Sequence, residues 1–282
     1  MYDGPVIART VGVLALAGLA FLEGRALAND SEALLAGGEI TFKKSDGISM
    51  ETEDLSIKPD DVRVAYRFRN TTPTDITTLV AFPLAPYELP AEDDQAENDA
   101  ELQAEARWRD LGHFTLRVDG RPAQFESTVT WSTKKVAGRR HDLKIVTVTY
   151  HWVQTFPAGK VVAVEHSFHP YGGFIYSFGY DGAAVLERQL AHDYCVGPVL
   201  LRAMKRGEGS LAQVHYILKT GANWNGPIGR FTLRIQKRRA ADKVSVCLDG
   251  FRKVDDRTFV LEKTNYVPTQ DLQIAFITLP AL

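Results

Sequence analysis

Three of the seven histidines stand beside groups that could share a reaction or a metal ion with them. His166 and His169 lie three residues apart in a stretch of alternating apolar residues, and Asp193 follows His192 directly. An imidazole can exchange a proton near neutral pH, and it is also a common zinc ligand. Side chains three positions apart on a strand point to opposite faces, so one metal ion reaches both His166 and His169 only if Pro170 ends the strand. The alternative, which we predict, is one packed and one hydrogen-bonded imidazole with no metal.

The segment 171–180 is unusually aromatic, and in a strand its aromatic side chains at every second position would share one face. These side chains are Phe174, Tyr176, Phe178 and Tyr180. They could form a platform for a sugar ring or an apolar ligand, or they could fill the core, because aromatic side chains bury large areas. Trp131, Trp152 and Trp224 leave the same two interpretations open. We expect Trp224 in a loop, because the turn signal Asn225-Gly226-Pro227 follows it.

Local motifs of catalytic and nucleotide-binding sites are missing from this sequence. It contains no Gly-x-Ser-x-Gly, no phosphate-binding loop, no His-Glu-x-x-His and no Cys-x-x-Cys. The absence of these motifs lowers the expectation that the protein is an enzyme. It does not exclude one, because a fold can bring together catalytic groups that are scattered along the sequence. We assign no catalytic residue and expect no cofactor.

Cys195 and Cys247 are the only two cysteines. In an oxidising compartment we expect them to form a disulfide, which would stabilise the fold by roughly 4 kcal/mol through loop closure. The alternative is two separate buried thiols.

Alternation with a period of two residues is the main structural signal. It runs through segments such as 62–68, 146–152 and 214–218, which are rich in Val, Thr, Ile and aromatic residues. Asp119-Gly120 and Asp249-Gly250 are typical of tight hairpin turns. Many short strands with frequent turns predict an all-β, mainly antiparallel protein of the β-sandwich type, with one or two short helices.

The N-terminus has the pattern of a secretory leader. Val11–Leu22 is an apolar run too short for a membrane span, and Ala26-Leu27-Ala28 offers small residues for cleavage after Ala28. The alternative is an uncleaved anchor. We predict a periplasmic or secreted protein whose mature chain has no membrane span. The net charge of −2 gives no reason to expect nucleic acid as a partner.

Two breaks in the strand pattern suggest a division of the chain. We predict a leader over 1–28, an N-terminal β lobe over 29–136 and a C-terminal β lobe over 137–282. The acidic segment 91–110 interrupts the first lobe, and we expect a partly helical surface excursion there.

Several short motifs occur in a fixed order along most of the chain. They are Asn29-Asp30-Ser31, Ala36-Gly37-Gly38, the strand patterns 48–57 and 62–70, Val80-Ala81-Phe82-Pro83-Leu84, Phe156-Pro157-Ala158-Gly159, His166-x-x-His169-Pro170-x-Gly172, and Asn223-Trp224-x-Gly226-Pro227-Ile228. This set resembles a bacterial family of exported proteins known as domain of unknown function DUF4424. The resemblance implies an envelope location, a β-rich fold and no established activity, and it supplies no catalytic residue.

Three functional hypotheses follow. The leading one is a non-enzymatic module that binds a small molecule, a glycan or an envelope protein. The second is an envelope hydrolase or metal-dependent enzyme that uses the region of His166, His169 and His192. The third is a structural subunit of an envelope complex.

Overall fold

Most of the 282-residue chain is described by a computed structural model. The structure describes residues 30–36, 39–88, 112–135, 143–170, 174–175, 183–205 and 210–279. The predicted leader and the acidic segment 91–110 lie outside these residues, so both stay predictions.

Short strands make up most of the described residues. They are β1 (Ser31–Ala36), β2 (Glu39–Lys43), β3 (Ile48–Ile57), β4 (Val62–Asn70), β5 (Ile76–Pro83), β6 (Tyr87–Glu88), β7 (Thr115–Val118), β8 (Arg121–Pro122), β9 (Glu126–Lys134), β10 (Leu143–Phe156), β11 (Val161–Phe168), β12 (Phe174–Ile175), β13 (Ser210–Tyr216), β14 (Ile228–Gln236), β15 (Lys243–Val246), β16 (Arg252–Lys253), β17 (Thr258–Tyr266) and β18 (Leu272–Thr278). The helices of the described residues are α1 (Ala183–Asp193), α2 (Pro198–Lys205) and a 3-10 turn, Lys219–Asn223. The predicted all-β class with two short helices is confirmed.

The described strands form three sheets. The largest has the order β16-β17-β14-β3-β4-β11-β7-β8. The second has the order β2-β1-β5-β10-β6, with β9 also on β10, and the third has the order β12-β13-β18-β15. The described pairs are antiparallel except β3 with β14, which is parallel. The sheets are therefore mainly antiparallel, as predicted.

Strands from both sides of residue 137 pair with one another. In the largest sheet β3 pairs with β14 and β4 pairs with β11, and in the second sheet β5 pairs with β10. The sheets therefore do not follow the boundary between the two predicted lobes.

The alternation in the sequence places one face of each long strand in the core. In β4, Val62, Val64, Tyr66 and Phe68 are at most 2% exposed, whereas Arg63 and Arg67 lie on the outer face. Each of the three sheets contributes inward side chains to one large apolar cluster. Sheets therefore face each other across a shared core, as in a sandwich.

A smaller apolar cluster lies between the helices and the third sheet. It consists of Leu190, Tyr194, Val196, Leu201 and Met204 together with Leu211, Ala275 and Ile277. α2 buries Leu201 and Met204, which are three residues apart and so share one helical face. In the described part of the chain, no helix has the length and apolar character needed to cross a membrane.

Candidate functional site

A surface cavity of about 490 Å³ lies beside the paired strands β9 and β10. Trp131, Ser132, Thr133 and Lys144 contribute to its lining. Thr133 and Lys144 are direct partners across the two strands, and the side chain of Trp131 lies on the same face as theirs. Trp131 is 40% exposed. An exposed indole that shares a face with a hydroxyl and an ammonium group can bind a molecule that has both an apolar face and a polar edge.

Several titratable groups are linked to this end of the second sheet through Glu88. The Glu88 carboxylate accepts a hydrogen bond from Lys134 Nζ at 2.9 Å, and its strand β6 pairs with β10 at Ile145. The Tyr194 hydroxyl is hydrogen-bonded to His215 Nε2. Glu88 is close enough to Tyr194 and His215 to influence the titration of both.

Burial governs the protonation of the Tyr194–His215 pair. It raises the pKa of Tyr194, and the carboxylates of Asp193 and Glu88 add to that rise. Burial lowers the pKa of His215, although Glu88 and Asp193 oppose that change. At neutral pH the pair therefore consists of a protonated phenol and a neutral imidazole, which can share one hydrogen bond. Glu88, Tyr194 and His215 are far apart in sequence and carry no motif, so the sequence did not mark them.

A second group of polar side chains is buried in the main core. It consists of Asp30, Glu53, Tyr66, His166 and Tyr216, each at most 3% exposed. The hydroxyls of Tyr66 and Tyr216 are 3.0 Å apart, and Tyr216 also donates to Glu53 Oε1 at 3.2 Å. His166 Nε2 lies 3.5 Å from Asp30 Oδ2. We call these five residues the buried polar centre.

The buried polar centre favours uncharged forms of its acid and its base. Burial raises the pKa of Asp30 well above its usual range, and nearby Glu53 adds to the rise. Burial lowers the pKa of His166 to about 3. Attraction between a carboxylate and an imidazolium would shift both pKa values in the opposite directions. The cost of burying charge is the larger effect at this depth. Because solvent does not reach these groups, we assign them to the architecture and not to chemistry on a dissolved substrate.

His166 and His169 occupy different environments. His166 is packed among Tyr66, Phe82, Phe114 and Trp152, whose ring centroids are 4.9 to 5.6 Å from its own. His169 follows the end of β11 and is exposed, with its ring 4.9 Å from that of His113. Among the described residues, no group of three or more His, Cys, Asp or Glu side chains could hold a metal ion.

His192 lies at the C-terminal end of α1, away from the core environment of His166. Its Nδ1 is 2.6 Å from Asp193 Oδ1, and its side chain is 90% exposed. The structure therefore does not bring the three histidines of the enzyme hypothesis into one environment.

The structure describes little of the aromatic segment. The backbone of Phe174 lies in β12, opposite Ala212 of β13. Its side chain, together with Tyr176, Phe178 and Tyr180, lies outside the described residues, so the predicted platform stays a prediction.

Trp224 follows the 3-10 turn in a loop, as expected, but its side chain is completely buried. Its indole donates a hydrogen bond to the backbone oxygen of Asp30 at 2.7 Å and packs against Phe68 with a centroid distance of 4.5 Å. Trp224 thus offers no exposed surface to a ligand, and we do not include it in the binding proposal below.

A disulfide joins Cys195 and Cys247, as predicted. It connects the segment between α1 and α2 to the segment after β15. Beside it, Ser245 Oγ donates to the backbone oxygen of Tyr194 at 2.8 Å. The disulfide therefore helps to position Tyr194 over His215.

The fold is that of a β-sandwich protein with a small helical layer. The family model for the domain of unknown function DUF4424 matches residues 28–144 and 140–275, so the chain belongs to that family. A search of curated proteins found no match. Among solved structures, the chain is similar to a candidate nutrient-binding protein from Legionella pneumophila. That likeness has a TM-score of 0.51 and 14% sequence identity, and it covers 89% of this chain and 70% of the other. At this identity the likeness concerns the fold.

Proposed function

We propose that this protein is a non-enzymatic module of the cell envelope that binds a small molecule in the cavity beside Trp131. The observation that carries the proposal is the exposed indole, which shares one face of the strand pair with the hydroxyl of Thr133 and the ammonium group of Lys144, in a cavity of about 490 Å³. That volume is within the range of sites for small ligands. The fold likeness to a candidate nutrient-binding protein supports the same class of function.

The lining of the cavity indicates what kind of ligand it would accept. An indole face packs against a flat apolar surface, whereas Thr133 and Lys144 on the same face can bind hydroxyl or carboxylate oxygens. Sugars and sugar acids combine these properties, so they are the first class to test.

An envelope location is the second part of the proposal. It is supported by the leader-like sequence and by the disulfide, because disulfides persist mainly in oxidising compartments. N-terminal sequencing of protein from an envelope fraction should begin at Asn29. A chain that still begins at Met1 would contradict removal of the leader.

The binding site is tested by substitution of Trp131. We would screen purified protein against sugars and sugar acids by thermal shift and measure the affinity of each hit by calorimetry. The substitution Trp131→Ala should weaken binding at least tenfold, because it removes the stacking surface. Val153→Ala is the matched control. Val153 is an exposed apolar residue like Trp131, but it lies on the neighbouring strand β10 and does not belong to the described lining. No hit for any ligand, or equal affinity of the two variants, would refute this site.

A further inference from the structure

The side chain that approaches His169 is that of His113, which lies far from it in the sequence. Both residues are exposed. Pro170 follows His169, and β11 ends at Phe168, so the side chain of His169 is no longer held by the strand alternation. The backbone N–H of His169 donates to the oxygen of Gly112 at 2.7 Å, which holds the two chain segments together.

The spacing of the two rings matches shared coordination of one metal ion. With a metal–nitrogen distance of about 2.0 Å, two imidazoles at a tetrahedral angle have ring centroids about 5 Å apart. The observed centroid distance is 4.9 Å, with an angle of 63° between the ring planes. The distance between the two rings is therefore compatible with coordination of one ion by both imidazoles.

The backbone of His113 provides a second observation. Its φ is 44°, in the left-handed region that few residues other than glycine adopt. Such a conformation is unfavourable for a residue with a side chain, and it often marks a functional position. Here it occurs at one of the two imidazoles of the pair.

We propose that His113 and His169 bind one divalent transition-metal ion at the protein surface. Imidazole nitrogens suit Cu²⁺, Ni²⁺ and Zn²⁺, and the general order of affinities predicts that Cu²⁺ binds more tightly than Zn²⁺. The two imidazoles are the protein ligands that we assign, and water completes the coordination. This site does not depend on the proposed cavity beside Trp131.

The test is a metal titration of purified protein without a histidine tag. We would add Cu²⁺ or Zn²⁺, follow binding by calorimetry, and record the electron paramagnetic resonance spectrum of the Cu²⁺ form. We expect one bound ion per chain, with nitrogen ligands in the Cu²⁺ spectrum. His113→Asn and His169→Asn should each weaken binding at least tenfold. Asparagine is chosen because it tolerates the left-handed conformation at position 113.

His192→Asn is the matched control, because His192 is also exposed but lies at the end of α1. It should bind metal as the unchanged protein does. Circular dichroism spectra of all variants would establish that they are folded. The proposal is overturned if the unchanged protein binds no ion, or if the loss in His192→Asn equals that in the two other variants.

Discussion

At the scale of single residues, the unusual feature is the buried polar centre. Sandwich cores normally exclude carboxylates and imidazoles, because burial of a charge is costly. Here Asp30 and His166 lie 3.5 Å apart in a core of aromatic side chains. Burial raises the pKa of Asp30 and lowers that of His166, so both groups favour their uncharged forms, and this reduces the cost.

Removal of the Asp30 carboxyl should change how stability depends on pH. In the native protein the pair holds one proton, and in the unfolded chain it also holds one between about pH 4 and 6.5. The pair therefore adds no pH dependence to the free energy of unfolding in that interval. Because burial raises the pKa of Asp30 in the native protein, the unfolded pair loses its proton before the native pair does as the pH rises, so the native protein should lose stability with rising pH.

In Asp30→Asn, the native His166 holds no proton above its pKa of about 3. The unfolded His166 gains one below about pH 6.5, so the variant should lose up to about 1.4 kcal/mol of stability per pH unit as the pH falls. Urea unfolding between pH 4.5 and 8 measures both curves. His169→Asn should leave the shape of the curve unchanged. Parallel curves for Asp30→Asn and the unchanged protein would contradict the shared proton.

At the scale of elements, one close approach between strands depends on a glycine. The register of β3 against β4 shifts between Met50 and Thr52, which leaves Glu51 as an extra residue of a bulge. On its other side β3 pairs with β14, where Gly229 faces the bulge. A Cβ atom added at Gly229 would lie 2.6 Å from the backbone oxygen of Glu51, which is too close for any side chain.

Gly229→Ala should therefore destabilise the fold by about 1–3 kcal/mol, because one of the two strands has to shift. The free energy of unfolding in urea measures this loss. Gly197→Ser is the control, since a Cβ atom at Gly197 meets nothing within 4 Å. That variant should stay within about 0.5 kcal/mol of the unchanged protein. Equal stability of the two variants would mean that the parallel pair tolerates a side chain at Gly229.

At the scale of the whole molecule, the two halves of the chain form one structure. Two of the sheets contain strands from both sides of residue 137, and inward side chains from all three sheets share one core. Each half alone would leave long strands without partners and apolar faces exposed to water.

Fragments 29–136 and 137–282 should therefore not fold separately. In 29–136, β3, β4 and β5 would lack β14, β11 and β10 as partners. We expect neither fragment to show cooperative urea unfolding or a native near-UV circular dichroism spectrum, whereas the chain from residue 29 to 282 should unfold in one transition. Cooperative unfolding of either fragment would support two independent lobes.

The sequence by itself determined the all-β class, the buried faces of several long strands and the partners of the disulfide. Alternation identifies which residues of β4 face inward, because a strand places successive side chains on opposite faces. Two cysteines in one chain leave one possible intramolecular pairing, so the partners of the predicted disulfide followed from the sequence, and the structure shows that the bridge forms.

Only the tertiary structure decided which distant groups meet. The sequence predicts Trp224 in a loop, yet its side chain is buried in the core. Its indole N–H donates a hydrogen bond to the backbone oxygen of Asp30. His169 lies beside His113, and Tyr194 lies beside His215. In both cases the fold brings together residues that are distant in the sequence. Local periodicity fixes the direction of each side chain, but the partner across a sheet or a loop depends on strand order, which no local pattern encodes.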